Sequence, residues 1–204
     1  MSPGTALIVF AKAPVAGQAK TRLIPALGAA GAAALAERLL THALDTAMSA
    51  GFEYVELCAA PDARHPALAR WAGRPGLAIA DQGEGDLGER MHRALTRALR
   101  DHHRALLIGS DVPALDVHCL AQAAAALADH DAVFVPALDG GYALVGLRRP
   151  VPQLFAGVVW GSPRVMAQTR ALARQTGLRW AELPAVSDID EPADLAHLPA
   201  GWLQ

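Results

Sequence analysis

Ala6-Leu7-Ile8-Val9-Phe10, running on through Ala11 into Lys12-Ala13-Pro14-Val15-Ala16-Gly17-Gln18-Ala19-Lys20-Thr21-Arg22-Leu23, is the stretch that decides the fold. Five apolar residues without alternation make a strand buried on both faces, as in a parallel sheet. A helix is expected from about residue 29 to 50, because Leu40, Leu44 and Met48 recur four apart and Gly51 supplies a stop. Strand, loop and helix in that order open a βαβ unit.

The same alternation continues along the chain. Strand-like runs occur at 54–59, 77–80, 105–108, 132–135, 142–147 and 178–183. Helical stretches are expected at 65–71, 87–102, 116–128, 162–175 and 190–198, with Ser162 as N-cap and Pro163 in the first helical position of the fourth of these. The chain therefore reads as one α/β domain over residues 1–204, a mostly parallel sheet with helices on both faces. Ligands of such sheets bind beyond the carboxyl ends of the strands, so the residues after each strand are the candidates.

Composition removes several classes of function. With 52% hydrophobic and 19% charged residues the chain is not disordered, and a net charge of −2 does not suit a nucleic-acid binder. No apolar run approaches the roughly 20 residues of a membrane span. The start, Met1 to Phe10, has no basic segment or cleavage signal, which makes the cytoplasm the default location. Cys58 and Cys119 stand in no metal-binding spacing and read as small buried hydrophobes. His42, His65, His92, His102, His103, His118, His130 and His197 form no ligand spacing either. A Walker A loop and a Gly-x-Ser-x-Gly elbow are both absent.

The chemistry-bearing residues lie after the strands. Lys12, Lys20 and Arg22 put three cations on the first loop, and the other fifteen basic residues of the chain are all arginines. A compact ammonium suits a phosphate, and Arg22 adds a forked grip; the alternative is a solvated loop. Gly109-Ser110-Asp111-Val112-Pro113 delivers a carboxylate able to hold Mg²⁺, or to cap the following turn. In Ser187-Asp188-Ile189-Asp190-Glu191-Pro192 the two aspartates share one face of an extended stretch, with helix capping as the rival role for Asp190. Asp81-Gln82-Gly83-Glu84-Gly85-Asp86-Leu87-Gly88 offers glycines for close approach and the Gln82 amide for a base edge. Asp139-Gly140-Gly141-Tyr142 offers a carboxylate to an acceptor. Each of these last two segments also reads as an ordinary turn.

Taken together, Phe10-Ala11-Lys12-Ala13-Pro14 through Lys20-Thr21-Arg22-Leu23, then Gly28, resembles the opening of 2-phospho-lactate guanylyltransferases, and more distantly molybdenum-cofactor nucleotidyltransferases. Gly109 to Pro113, Asp139 to Tyr142 and Asp188 to Leu195 follow in the order of that superfamily. The set looks most like a bacterial branch labelled "glycosyltransferase" or "radical-SAM/selenodomain-associated transferase". Two features depart from the pattern: the Gly-rich L-x-G-G-x-x-x-R-M loop is missing, and Asp188/Asp190 replace a more common Asn pattern.

The resemblance implies a three-layer, Rossmann-like GT-A fold. It places Lys12, Gly17, Lys20 and Arg22 on nucleotide phosphates and Gln82 with Gly88 near the base. Asp111 and Asp190 (or Asp188) would hold Mg²⁺ or Mn²⁺, and Asp139, Gly140, Gly141 and Tyr142 would face an acceptor. Lys20, Arg22 and Asp111 are the expected catalytic residues. The leading expectation is nucleotidyl transfer from an NTP to a small phosphorylated acceptor, releasing pyrophosphate. Glycosyl transfer from a nucleotide-sugar is the alternative, less favoured because the Asp-x-Asp of metal-dependent glycosyltransferases is absent. A non-catalytic nucleotide-binding protein is the third reading. Neither the base, the acceptor nor the oligomeric state is specified.

Overall fold

The computed structural model describes residues 4–202, so Met1 to Pro3 of the amino-terminal reading lie outside the described residues. Seven strands form one sheet: β1 (Thr5–Lys12), β2 (Tyr54–Ala60), β3 (Leu77–Asp81), β4 (Arg104–Gly109), β5 (Ala132–Pro136), β6 (Tyr142–Leu147) and β7 (Trp180–Glu182), in the order β3-β2-β1-β4-β6-β5-β7. All neighbours are parallel except β6, which runs antiparallel between β4 and β5. Every residue of β1 but Lys12 is buried, as its unbroken apolar run requires. Leu7 and Val9 face the helices α1 (Ile24–Ser49) and α3 (Val117–Ala126), whereas Ala6, Ile8 and Phe10 face α2 (Leu87–Ala98) and α4 (Val165–Gln175). The result is a three-layer, Rossmann-like α/β fold.

Parallel pairing brings the ends of β1, β2, β3, β4 and β5 to one edge of the sheet. Because β6 is reversed, its first residue, Tyr142, lands on the same edge. The β5–β6 turn can be made only with glycine at position 140. Gly140 has φ +94°, and a Cβ there would stand 2.2 Å from the Pro163 carbonyl oxygen.

Several expectations need correction. α1 begins at Ile24 rather than 29, with a break at Gly28 (φ 71°, ψ 166°), where the helical ladder resets. The segments 65–71 and 190–198 are short 3₁₀ turns, Pro66–Trp71 and Pro192–His197. Ser162 does not cap a helix beginning at Pro163: α4 starts at Val165, and the Ser162 hydroxyl donates to the Val159 carbonyl. The last strand is only three residues long. Beyond it the chain stays extended along β5, through backbone bonds from Leu183 to Phe134, Val186 to Pro136 and Leu138 to Val186. Finally, Thr21–Ser49 is by length and composition apolar enough to cross a membrane, which the reading of short apolar runs overlooked. In this fold its Leu35, Leu39, Leu40 and Leu44 face are buried in core packing.

Candidate active site

A cavity of about 370 Å³ opens at the carboxyl edge of the sheet, within the roughly 300–1,000 Å³ typical of small-ligand sites. One side is polar, with Lys12, Gln18, Lys20, Thr21, Ser110 and Asp111; the other is formed by Phe10, Leu87, Met91, Leu107 and Tyr142. Gln82 and Arg90 complete the wall.

The first loop is wound tightly before it reaches Lys20. Gln18 and Ala19 both donate to the Val15 carbonyl, and Gly17 takes a positive φ of 80°. Lys20 itself is left-handed (φ 47°, ψ 46°), the one non-glycine residue with positive φ among the described residues. That conformation costs roughly 1–2 kcal/mol for a side-chain-bearing residue, and strain of this kind persists where surrounding contacts demand it. Here the contacts are ionic. Lys20 Nζ donates to Asp111 Oδ2 at 3.1 Å and to Asp190 Oδ1 at 3.4 Å, and Arg22 Nη1 donates to Asp190 Oδ2 at 2.7 Å. Burial by itself would lower the Lys20 pKa; the two aspartates outweigh it, and the ammonium is held above its ordinary value.

A backbone contact explains how Asp190 reaches Asp111 across 79 residues of sequence. The Ile189 amide donates to the Asp111 carbonyl at 3.0 Å, and the Ile189 side chain is fully buried against α1 residues Ala32, Leu35 and Leu39. Asp188 and Asp190 thus flank an anchored residue. The capping role open to Asp190 is taken by its neighbours: Glu191 and Asp194 form a capping box, and Asp194 accepts from the Asp190 and Glu191 amides. The Asp190 carboxylate is left to the lysine and arginine. Asp188 faces its own kind. Burial first, then the charges of Asp139 and Asp111, push its carboxyl up to about 6.

Asp111, Asp139, Asp188 and Asp190 are thus gathered at an edge where Lys20 and Arg22 bond directly to Asp111 and Asp190. Hard oxygen donors and one or two carboxylates are what Mg²⁺ takes beside phosphate oxygens, and Asp111, Asp188 and Asp190 are the carboxylates of that type at this edge. Among the described residues no three of His, Cys, Asp or Glu stand as a ligand set; the Lys20 ammonium bonds to both Asp111 and Asp190.

The remaining expected residues divide. Lys12 and Tyr142 line the cavity with Lys20 and Asp111. Burial pushes the Tyr142 phenol well up, and its hydroxyl points to Met91 Sδ at 3.9 Å. Asp139 lies in the β5–β6 turn, where one carboxylate oxygen accepts from the Gly141 amide at 2.8 Å. Gly17, Gly140 and Gly141 shape loops rather than line the cavity. Gly88 belongs elsewhere: a Cβ there would stand 2.7 Å from the Trp160 ring, so this glycine lets α2 pack beneath that indole. Gln82 lines the cavity, but its amide is not free for a base. Nε2 donates to the Ala11 and Cys58 carbonyls at 3.0 and 3.1 Å, and Oε1 accepts from Arg90 at 3.1 Å. Arg90 was missed by sequence reasoning because, inside a helix, one arginine of sixteen looks like another.

The fold is Rossmann-like α/β and of the GT-A type, like that of nucleotide-diphospho-sugar transferases. The chain belongs to the family described as "Uncharacterized protein conserved in bacteria (DUF2064)", whose model matches residues 33–162. A solved structure described as a "putative nucleotide-diphospho-sugar transferase", from Desulfovibrio desulfuricans G20, is 32% identical, with a TM-score of 0.84 over 92% of this chain and 82% of its own. CMP:2-keto-3-deoxy-manno-octonic acid synthetase complexed with CTP is 12% identical, with a TM-score of 0.56 over 95% and 96%. Glucosyl-3-phosphoglycerate synthase of Mycobacterium tuberculosis, solved with Mn²⁺, UDP and glucosyl-3-phosphoglycerate, is 9% identical, with a TM-score of 0.59 over 96% and 75%. The last two share the fold alone. No curated protein matches the chain.

Proposed function

We propose that this protein is a Mg²⁺-dependent nucleotidyltransferase that moves a nucleoside monophosphate from an NTP to a small phosphorylated acceptor and releases pyrophosphate. The observation that carries the proposal is the pairing of Lys20 and Arg22 with Asp111 and Asp190 at the mouth of a nucleotide-sized cavity. Those ion pairs are partly exposed and exchangeable. A triphosphate, with about four negative charges, competes for the cations more strongly than the diphosphate of a nucleotide-sugar. Asp111 and Asp190 would then hold a divalent ion, which would supply charge neutralisation to the phosphates.

In this reading Lys12, Lys20 and Arg22 orient the triphosphate, and Asp111 with Asp190 or Asp188 holds the metal. An acceptor phosphate oxygen near Asp139–Tyr142 attacks the α-phosphorus. The new P–O bond forms as the α–β bridging P–O bond breaks, and pyrophosphate leaves with the electron pair. An anionic acceptor needs no strong base, so catalysis is positioning and charge stabilisation. The description of the Desulfovibrio relative is compatible with this reading and also with glycosyl transfer. The two differ in leaving group. The protein is incubated with Mg²⁺, each NTP or nucleotide-sugar in turn and a pool of phosphorylated metabolites, while pyrophosphate and nucleoside diphosphate are followed together. Pyrophosphate release is expected. Nucleoside diphosphate from a nucleotide-sugar, with no pyrophosphate from any NTP, would establish glycosyl transfer instead.

A further inference from the structure

Arg90 has a setting unlike that of the other cavity cations. Its Nε donates to the Asp86 carbonyl at 3.2 Å and its Nη1 to Gln82 Oε1 at 3.1 Å. A guanidinium has five N–H donors, so three remain without a protein partner. Among the described residues no carboxylate lies within ion-pair distance of Arg90, although the group is half-buried and lines the cavity.

The support for Arg90 is unusually firm. Gln82 is 4% exposed, and its amide nitrogen is tied to the carbonyls of Ala11 and Cys58, at the ends of β1 and β2. Those two bonds leave Oε1 only one way to face, toward Arg90. Holding a buried amide in this manner is costly unless all its bonds are made, and Arg90 completes them. The cavity wall beside Arg90 is apolar, with Phe10, Leu87 and Met91. A phosphate would be poorly placed against such a wall, whereas the faces of a heterocyclic base suit it.

We infer that Arg90, braced by Gln82, reads the edge of the nucleotide base and selects a base presenting two adjacent hydrogen-bond acceptors. An arginine fork can only donate. Guanine offers O6 beside N7, and cytosine offers O2 beside N3. Adenine sets an N6 donor beside N7, and uracil places the N3–H between its carbonyls. The inference rests on the proposal that this cavity holds a nucleotide, and it adds which residue discriminates and on what chemistry.

Calorimetry with GTP, CTP, ATP, UTP and inorganic tripolyphosphate, on the wild type and on Arg90→Met and Arg90→Lys, tests it. For the wild type, GTP or CTP is expected to bind at least about tenfold more tightly than ATP and UTP, the discrimination of one forked contact. Arg90→Met should erase that preference and leave tripolyphosphate affinity within about twofold. Arg90→Lys keeps a charge without the fork, should also lose the preference, and serves if the methionine variant folds poorly. Nucleotide binding with the preference unchanged in both variants overturns the role of Arg90. Equal weakening of tripolyphosphate and nucleotides makes Arg90 a phosphate contact and overturns it too. Binding of tripolyphosphate with no gain from any base would count against a nucleotide in the cavity at all, and so against the proposed function itself.

Discussion

Two ionic clusters are built on the same sheet from similar parts, and they behave as opposites. On β2, the Glu56 side chain is 3% exposed and is saturated: it accepts from Arg97 Nη2 and Nε and from the Tyr54 hydroxyl. Arg97 in turn donates to Cys58 Sγ. Burial would lower the Arg97 pKa, and its bonds to Glu56 raise it above the ordinary value. Burial, with the Glu56 charge, pushes the Cys58 thiol up to about 11, so it is a protonated core residue. At the carboxyl edge, Asp111 and Asp190 are 38% and 35% exposed, and Arg22 is 63% exposed. Their lysine is strained, and the pKa of the neighbouring Asp188 carboxyl has been raised by burial first and then by the acids around it. A closed cluster of balanced charge holds strands and helix together. An open cluster of partly exposed charges leaves its carboxylates accessible to solvent.

The largest effect separating the two should come from Arg97→Ala. It leaves Glu56 buried with only the Tyr54 hydroxyl, and breaking a buried pair from one side costs about 3–5 kcal/mol. Urea denaturation measures this; a loss below about 1 kcal/mol would make the β2 cluster as loose as the other. Lys20→Ala should show the reverse profile. Stability is expected to change by less than about 1 kcal/mol, because the aspartates it leaves are wetted. Tripolyphosphate affinity should fall about 10- to 100-fold, the worth of a charged hydrogen bond. Equal losses for tripolyphosphate and for a bare nucleoside would instead make the first loop merely structural.

A subtler contrast lies in pH. The folded Asp188 pKa of about 6 is above its ordinary 3.8. Its contribution to stability is thus fully present when it is protonated, below about pH 4, and is lost as pH rises through 6. Asp188→Asn should therefore unfold at a higher temperature than wild type at pH 8, the difference shrinking toward pH 4. A pH-independent difference would contradict the acidic surroundings assigned to Asp188. The smallest expected signal is direct binding of Mn²⁺ without nucleotide. In Lys20→Met the carboxylates have lost their ammonium, so Mn²⁺ should raise Tm more than in wild type, by about 2–4 °C for each kcal/mol of binding. Equal shifts in both proteins would mean that Lys20 does not compete for the metal's place.

How much of this was legible beforehand differs by residue. The strands along the chain were visible because each is a short apolar run bounded by loop residues, and Phe10-to-Arg22 marked the edge where a ligand belongs. Asp111 and Asp190 were legible as candidates since each follows an extended run, and the structure brings both to one lysine. Gln82 and Gly88 were drawn toward a base by their motif. Packing sends the first to backbone carbonyls and the second beneath Trp160. Ser162 looked like a cap, yet the turn that precedes α4 uses its hydroxyl for itself.

Local pattern by itself determined the α/β class, the parallel β1 core and the first loop's cationic character, because those depend on hydrophobic period and chain order. Only the tertiary structure decided which carboxylate Lys20 meets, that Asp188 stands among acids, and that Arg90 faces the cavity with donors to spare. Those outcomes hang on contacts between residues as far as 170 positions apart, such as the backbone bond that seats Ile189 against Asp111. No residue type or spacing along the chain encodes a meeting of that kind, because it is closed by the packing of the whole sheet.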